Sequence, residues 1–269
     1  MHSSIFAKPN PTAAHFSPER LAHLRLLGAT LIIAIPPIIV LLLPAFGQPV
    51  AYHAFADQRT WHGIPHACDV LTNLPFLFAG LFGLYATRQS PATTLRAAWL
   101  AFFGGVTLVA LGSGWYHLAP TNASLIWDRL PMTFAFTALF SAVLGETVSG
   151  QLGRRALFPL LLLGTLSVLW WQRYDDLRPY FAIQALSLGG VPALLAFFPR
   201  RNAGRGWLIA GLGGYALAIV AEQSDAIIFA LTSGVISGHS LKHFIAASAC
   251  TLVAIQLRAH HRLHPAAVR

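Results

Sequence analysis

Three histidines, an aspartate and a serine stand at spacings that could hold and use a metal ion. Ser113 and His117 lie four residues apart in GSGWYHLAP, and His239 and His243 lie four apart in SGHSLKHF. On a helix, an i, i+4 spacing puts both imidazoles of the second pair on one face. Asp128 follows His117 in WDRLPM. Three histidines from two helices, brought to one depth, suit a catalytic zinc site, in which three protein ligands leave a fourth position for water. Zinc lowers the pKa of bound water to about 7. A carboxylate such as Asp128 can then accept or orient its proton, and Ser113 can donate to a developing oxyanion. Plainer readings stand beside this one. A histidine pair in a membrane helix can simply hydrogen-bond to neighbouring helices, Ser113 can be a small packing residue, and Asp128 can pair with Arg129 or Lys242. Glu222 and Asp225 can be a cation site, a brace for the histidines or solvated loop charges, and Lys242 can snorkel outward.

The elements that must position these residues are membrane helices. The 269-residue chain is 55% hydrophobic and only 10% charged, against about 25% charged in soluble domains, which excludes a water-soluble enzyme. Its net charge of +9 comes from basic residues scattered singly between apolar stretches, a pattern of membrane loops rather than of a nucleic-acid surface. Cys68 and Cys250 both sit in apolar runs and imply neither a disulfide framework nor a metal pair. Apolar runs of bilayer-spanning length recur at 24–46, 66–86, 97–118, 125–147, 155–171, 178–198, 207–226 and 238–258. The sequence therefore predicts an all-α polytopic bundle. The first run, with Pro36 and Pro37 at an expected kink, reads as a retained helix and not a cleaved signal. Residues 1–23 and 259–269 read as flanking segments, the latter with His260, His261 and His264, expected to be solvated and not metal-bound.

With the N-terminus inside, Lys8, Arg20, Arg25, Arg88, Arg96, Arg154, Arg155, Arg200, Arg201, Arg205, Arg258, Arg262 and Arg269 fall on inner segments. Arg59, Arg173 and Arg178 fall outside, with Arg129 and Lys242 near outer helix ends. The positive-inside rule then predicts both termini in the cytoplasm and an even helix count. Ser113, His117, Asp128, Glu222, Asp225, His239 and His243 all gather near the outer face. Ionisable groups inside spans are functional candidates.

Four segments carry a resemblance to the alkaline ceramidase family, one of a larger group of seven-helix membrane hydrolases that includes the progestin and adipoQ receptors. They are DVLTNLPF (69–76), GSGWYH (112–117) leading to WDRLPM (127–132), EQSDAIIF (222–229) and SGHSLKH (237–243). Their order and spacing agree over about residues 57–258. The resemblance implies a seven-helix ceramidase-like core over 57–258, with the helix at 24–46 as an extra. It implies that His117, His239 and His243 bind Zn2+, that Asp128 assists the zinc-bound water, and that Ser113 contacts the substrate amide or its oxyanion. The implied reaction is hydrolysis of ceramide or a related N-acyl lipid, drawn from the bilayer, into a fatty acid and a sphingoid base. Eukaryotic members also carry a calcium-binding acidic cluster before the first shared helix. Here that stretch reads ADQRTWHGIPHACD, with Asp57 and Asp69 as its only acids and His66 where the family has a carboxylate, so calcium is not expected. Leu241 and Lys242 replace an aromatic pair usual beside the last histidine.

Asn73 is expected to hydrogen-bond between helices, and Trp115 and Trp127 to anchor at the interface. Composition rich in alanine and arginine and poor in lysine points to a bacterial inner membrane, with the site toward the periplasm; an endoplasmic or Golgi membrane is the alternative. Two other functions share the pattern: a receptor-like sensor with structural zinc, which the short loops disfavour, and a metal or proton transporter, disfavoured because the polar groups gather at one face.

Overall fold

A computed structural model describes residues 17–90, 93–198 and 205–263, with side chains described to 258 apart from that of Pro18. Lys8, Arg200, Arg201 and Arg269, which enter the loop-charge argument, lie outside the described residues, as do the side chains of Arg262 and the tail histidines. The helices in order are α1 (Pro18–Leu42), α2 (Ala67–Leu71), α3 (Leu74–Gln89), α4 (Arg96–Leu118), α5 (Asn122–Thr147), α6 (Gly150–Tyr174), α7 (Arg178–Phe197), α8 (Arg205–Gln223), α9 (Asp225–Leu231) and α10 (Gly238–Leu263). Seven spans among the described residues are long and apolar enough to cross a membrane, α2 and α3 together making one of them. The bent pair α8–α9 adds an eighth if it is one span. The chain is a multi-pass membrane protein with an all-α fold.

Helices α3, α4, α5, α7, α8 and α10 follow one another around a ring. Helix α6 packs behind α5 and α7, and α1 lies against α7. Most of α1 faces outward, as Leu27, Ile38 and Ile39 show, and it runs unbroken through Pro36 and Pro37. It begins at Pro18, six residues before the apolar run, because Ser17 caps it by accepting from the Arg20 amide at 3.3 Å. The segment after α1 is tied down by Arg178, which donates to the Leu43 carbonyl at 2.9 Å. Arg178 also bonds Asp176, holding that carboxyl down at about 2.

Two runs that read as single helices are broken in the structure. Pro75 lies in the first turn of α3 and can donate no amide to the carbonyl of Leu71, so 66–86 divides into α2 and α3 at Thr72 and Asn73. The run 207–226 ends at Gln223, and α9 leaves α8 at 79°. Asp128 lies nearly two turns inside α5, since a Thr121–Ser124 capping box starts that helix at Asn122.

Helix spacing near the cluster is set by glycine. Gly112 of α4 sits so close to the Trp127 carbonyl of α5 that an added Cβ would collide with it. Pro131 has no amide to offer Trp127 across the turn, and that freed carbonyl is the group Gly112 meets. Gly105 repeats the approach two turns away, with Ala135 N 2.8 Å from where its Cβ would stand. Small residues that let backbones meet are the usual means of packing helices in a membrane. Gly112→Ala should therefore lower stability by about 1–3 kcal/mol, read as a lower melting temperature in detergent. Gly104→Ala, which meets nothing within 4 Å, should leave the melting temperature unchanged.

Candidate metal centre

His117 stands in the last turn of α4, and His239 and His243 in the first two turns of α10. All three are at most 4% exposed, and one ligand nitrogen from each falls within 4.8 Å of the others. His117 Nε2 and His239 Nε2 are 3.2 Å apart. Two nitrogens bound to one ion at about 2.0–2.1 Å in a tetrahedron stand about 3.3 Å from each other, so this edge fits a shared ion. His243 supplies a second test. The Thr72 hydroxyl donates its single proton to the Cys68 carbonyl at 2.7 Å, and the same oxygen lies 2.9 Å from His243 Nδ1. Nδ1 must therefore be the donor, which leaves the lone pair on Nε2. That Nε2 is buried with no hydrogen-bond partner among the described residues. Buried nitrogens without partners are costly, and a cation among these imidazoles would accept the lone pair. The three histidines can form a metal site.

The supports of the cluster come from segments that the histidine pattern does not include. Asp225, at the start of α9, accepts from the His239 amide at 2.8 Å and from the Ala56 amide at 2.9 Å. It braces the first turn of α10, one of the three roles open to it. Asp69 accepts from Ser240 Oγ at 2.6 Å and from Ser237 Oγ at 3.4 Å, tying α2 to α10. Phe55 packs its ring 4.4 Å from His239 and 4.8 Å from His117. His53 bonds the Tyr116 hydroxyl at 2.7 Å and Asn122 at 2.8 Å, so the segment before α2 closes over the cluster. Asn73 donates to the Asp69 carbonyl at 2.8 Å. Its bond lies within its own segment, across the α2–α3 break, and not to a neighbouring helix.

Ser113 and Asp128 join His239 and His243 on the wall of a cavity of about 560 Å³. The Ser113 hydroxyl faces the Asp128 carboxylate. Asp128 forms no ion pair with Arg129 or Lys242; Lys242 pairs instead with Glu222 at 2.8 Å. Glu222 Oε1 is also 3.8 Å from His239 Nδ1. Lys242 therefore points at the cavity and does not snorkel away from it. From this polar end the cavity continues between α4, α5, α7, α8 and α10 along Val109, Val106, Met132, Leu139, Leu212 and Val253. Trp115 and Trp127 line a separate outward groove between α4 and α5 and are 61% and 57% exposed, the placement of bilayer-facing anchors and not of a cavity entrance.

The stretch with Asp57 and His66 is organised by an arginine. Arg59 bonds both Asp57 oxygens and also the Val235 carbonyl, at 3.1 Å. Burial alone would raise the Asp57 carboxyl, but these hydrogen bonds outweigh it and hold the group below its ordinary value. His66 takes a left-handed backbone, φ 46°, at the start of α2, with Nδ1 3.3 Å from the Asp57 carbonyl.

A sequence-family model described as Ceramidase matches residues 62–197, half of the chain. The matched region includes Ser113, His117 and Asp128 and ends before α10. No curated protein sequence matches the chain.

Hydrogen bonds to the far nitrogen of a ligating histidine commonly change metal affinity 10–100-fold. Thr72→Val keeps the shape and removes the acceptor, so it should weaken binding of a divalent metal ion at the histidines by about that factor in a chelator competition. Thr72→Ser should restore it.

Proposed function

The chain belongs to the ceramidase family, and we propose that it is a zinc-dependent hydrolase of the amide bond in ceramide or a related N-acyl lipid, acting within the membrane. One observation carries the reading: three buried imidazoles converge, and two of them, His239 and His243, line the polar end of a long apolar cavity. In this reading His117, His239 and His243 hold the ion, each through one ring nitrogen. Bound there, zinc acts as a Lewis acid that acidifies a water molecule and polarises the amide carbonyl.

The chain's own groups divide the remaining work. Water adds to the amide carbon, the C–N bond breaks, and the products are a fatty acid and an amine. Asp128 takes a proton from the water and passes it to the departing nitrogen. Ser113, whose hydroxyl donates to Asp128 beforehand, is released as Asp128 takes up the water's proton and turns its own proton to the carbonyl oxygen, where negative charge builds. Leu212 lies ten residues from Glu222 along α8, a rise of about 15 Å, so the apolar walls have room for an extended acyl chain. Helices α7 and α8 flank the cavity while barely touching, which suits entry of a lipid from the side. In this reading the loop charges put both termini in the cytoplasm and the polar end toward the outer face of a bacterial inner membrane, where an amide headgroup sits.

The test is turnover of a panel of N-acyl lipids in mixed micelles. His117→Ala, His239→Ala and His243→Ala should each reduce hydrolysis to background and lose zinc while retaining a cooperative melting transition. Chelation should silence the wild type and zinc should restore it. Full activity in any one variant would remove that residue from the ligand set. Leu212→Trp should shorten the preferred acyl chain, lowering kcat/KM for long chains by about tenfold or more while sparing short ones.

A further inference from the structure

Among the described residues, one guanidinium on the cavity wall has no ion-pair partner. Arg129 of α5 is 4% exposed and lines the same cavity as Asp128. Its Nη2 donates to Gln48 Oε1, and its Nη1 is buried with no hydrogen-bond partner among the described residues. Aromatic rings surround it: the guanidinium carbon is 4.2 Å from the Trp171 ring centre, 4.7 Å from Tyr180 and 5.8 Å from Tyr52. Ring faces attract a cation but do not neutralise it. Among the described residues no carboxylate forms an ion pair with Arg129. The Tyr52 hydroxyl also faces the guanidinium, and burial pushes that phenol above its ordinary value, so it offers an uncharged oxygen and no counter-ion. A buried charge left unpaired at membrane depth is expensive, and such groups mark ligand paths. An anion that arrives with the ligand would supply the missing partner.

We infer that Arg129 is a recognition subsite for an anionic oxyacid group, carboxylate or phosphate, on the amine half of an amide lipid. The inference rests on the hydrolase reading for the place of the amide, but the subsite itself is a matter of binding. A guanidinium with a free N–H edge matches such a group through charge-assisted hydrogen bonds. The sequence neighbour Asp128 would then address the amide while Arg129 holds the headgroup.

The test measures binding to the detergent-purified full chain by tryptophan fluorescence and calorimetry, with hydrolysis followed in parallel. Four probes share one acyl chain: N-lauroylglycine, N-lauroyl-O-phosphoethanolamine, neutral N-lauroylethanolamine and lauric acid. At least one of the two anionic amides should bind about tenfold or more tightly than the neutral one, as a charge-assisted pair requires. Arg129→Gln should erase that preference while leaving affinity for the neutral amide unchanged, and Arg129→Lys should recover part of it. Equal binding of charged and neutral amides, or equal loss of both in Arg129→Gln, would overturn the subsite. Arg129-dependent binding of lauric acid without preference among the amides would assign the arginine to the released acid and overturn the headgroup assignment. Charge preference without turnover of any lipid would support the subsite while the hydrolase reading fails; turnover without charge preference would do the reverse.

Discussion

Three imidazoles buried side by side in an apolar bundle need a partner for every N–H and every lone pair, because no water is at hand to supply one. That requirement organises this end of the molecule. Thr72 takes the Nδ1 proton of His243 and fixes its tautomer, Asp225 fixes the backbone on which His239 stands, and Phe55 shields two of the rings. His117 Nε2 and His239 Nε2 face one another at the spacing a shared cation needs, and His117 Nδ1 and His243 Nε2 have no hydrogen-bond partner among the described residues. A packing role alone would satisfy them through neighbouring helices, and for His243 Nε2 no such neighbour exists among the described residues.

Bringing α4 and α10 to one depth depends on backbone more than on side-chain volume. Gly112 lets α5 approach α4 where Pro131 has freed a carbonyl, and Gly238 lets the start of α10 settle against the Ala221 carbonyl and the Asp225 backbone. The 79° break after α8 is part of the same arrangement, since it places Asp225 where one carboxylate can reach both the α10 amide and the segment before α2. A straight α8 would carry that carboxylate onward along its axis and leave the first turn of α10 unbraced.

Much of this was legible in the sequence, because apolar runs and ligand-type residues are local signals. The spans, the i, i+4 histidine pair and the shared depth of His117, His239 and His243 could all be read from spacing. What could not be read was tertiary. Thr72 sits in a motif singled out beforehand, yet its bond to His243 crosses 171 positions. Phe55 and His53 belong to a polar-looking connector whose closing role only three dimensions reveal. Asp128 and Arg129 looked like partners because they are adjacent, but successive helical residues point about 100° apart, and the two side chains meet different neighbours. The breaks at Thr72–Asn73 and Ser224 interrupt runs whose hydropathy continues across them, so an apolar window passes over both.

Charge in the cavity is disposed differently from charge elsewhere in the molecule. Glu222 and Lys242 neutralise each other, and away from the cavity Asp57 with Arg59 and Asp176 with Arg178 do the same. These pairs fasten segments together and leave no net charge where they sit. Asp128 and Arg129 are different: both line the cavity, and among the described residues neither has an ion-pair partner. Unpaired charges of opposite sign on adjacent residues do not cancel when their side chains diverge; they make a short dipole across the polar end of the cavity. A ligand that answers it offers a group able to exchange a proton on the Asp128 side and a negative charge on the Arg129 side. An amide bond followed by an acid satisfies both requirements at once, whereas a neutral headgroup would leave the guanidinium as poorly matched with ligand bound as without it.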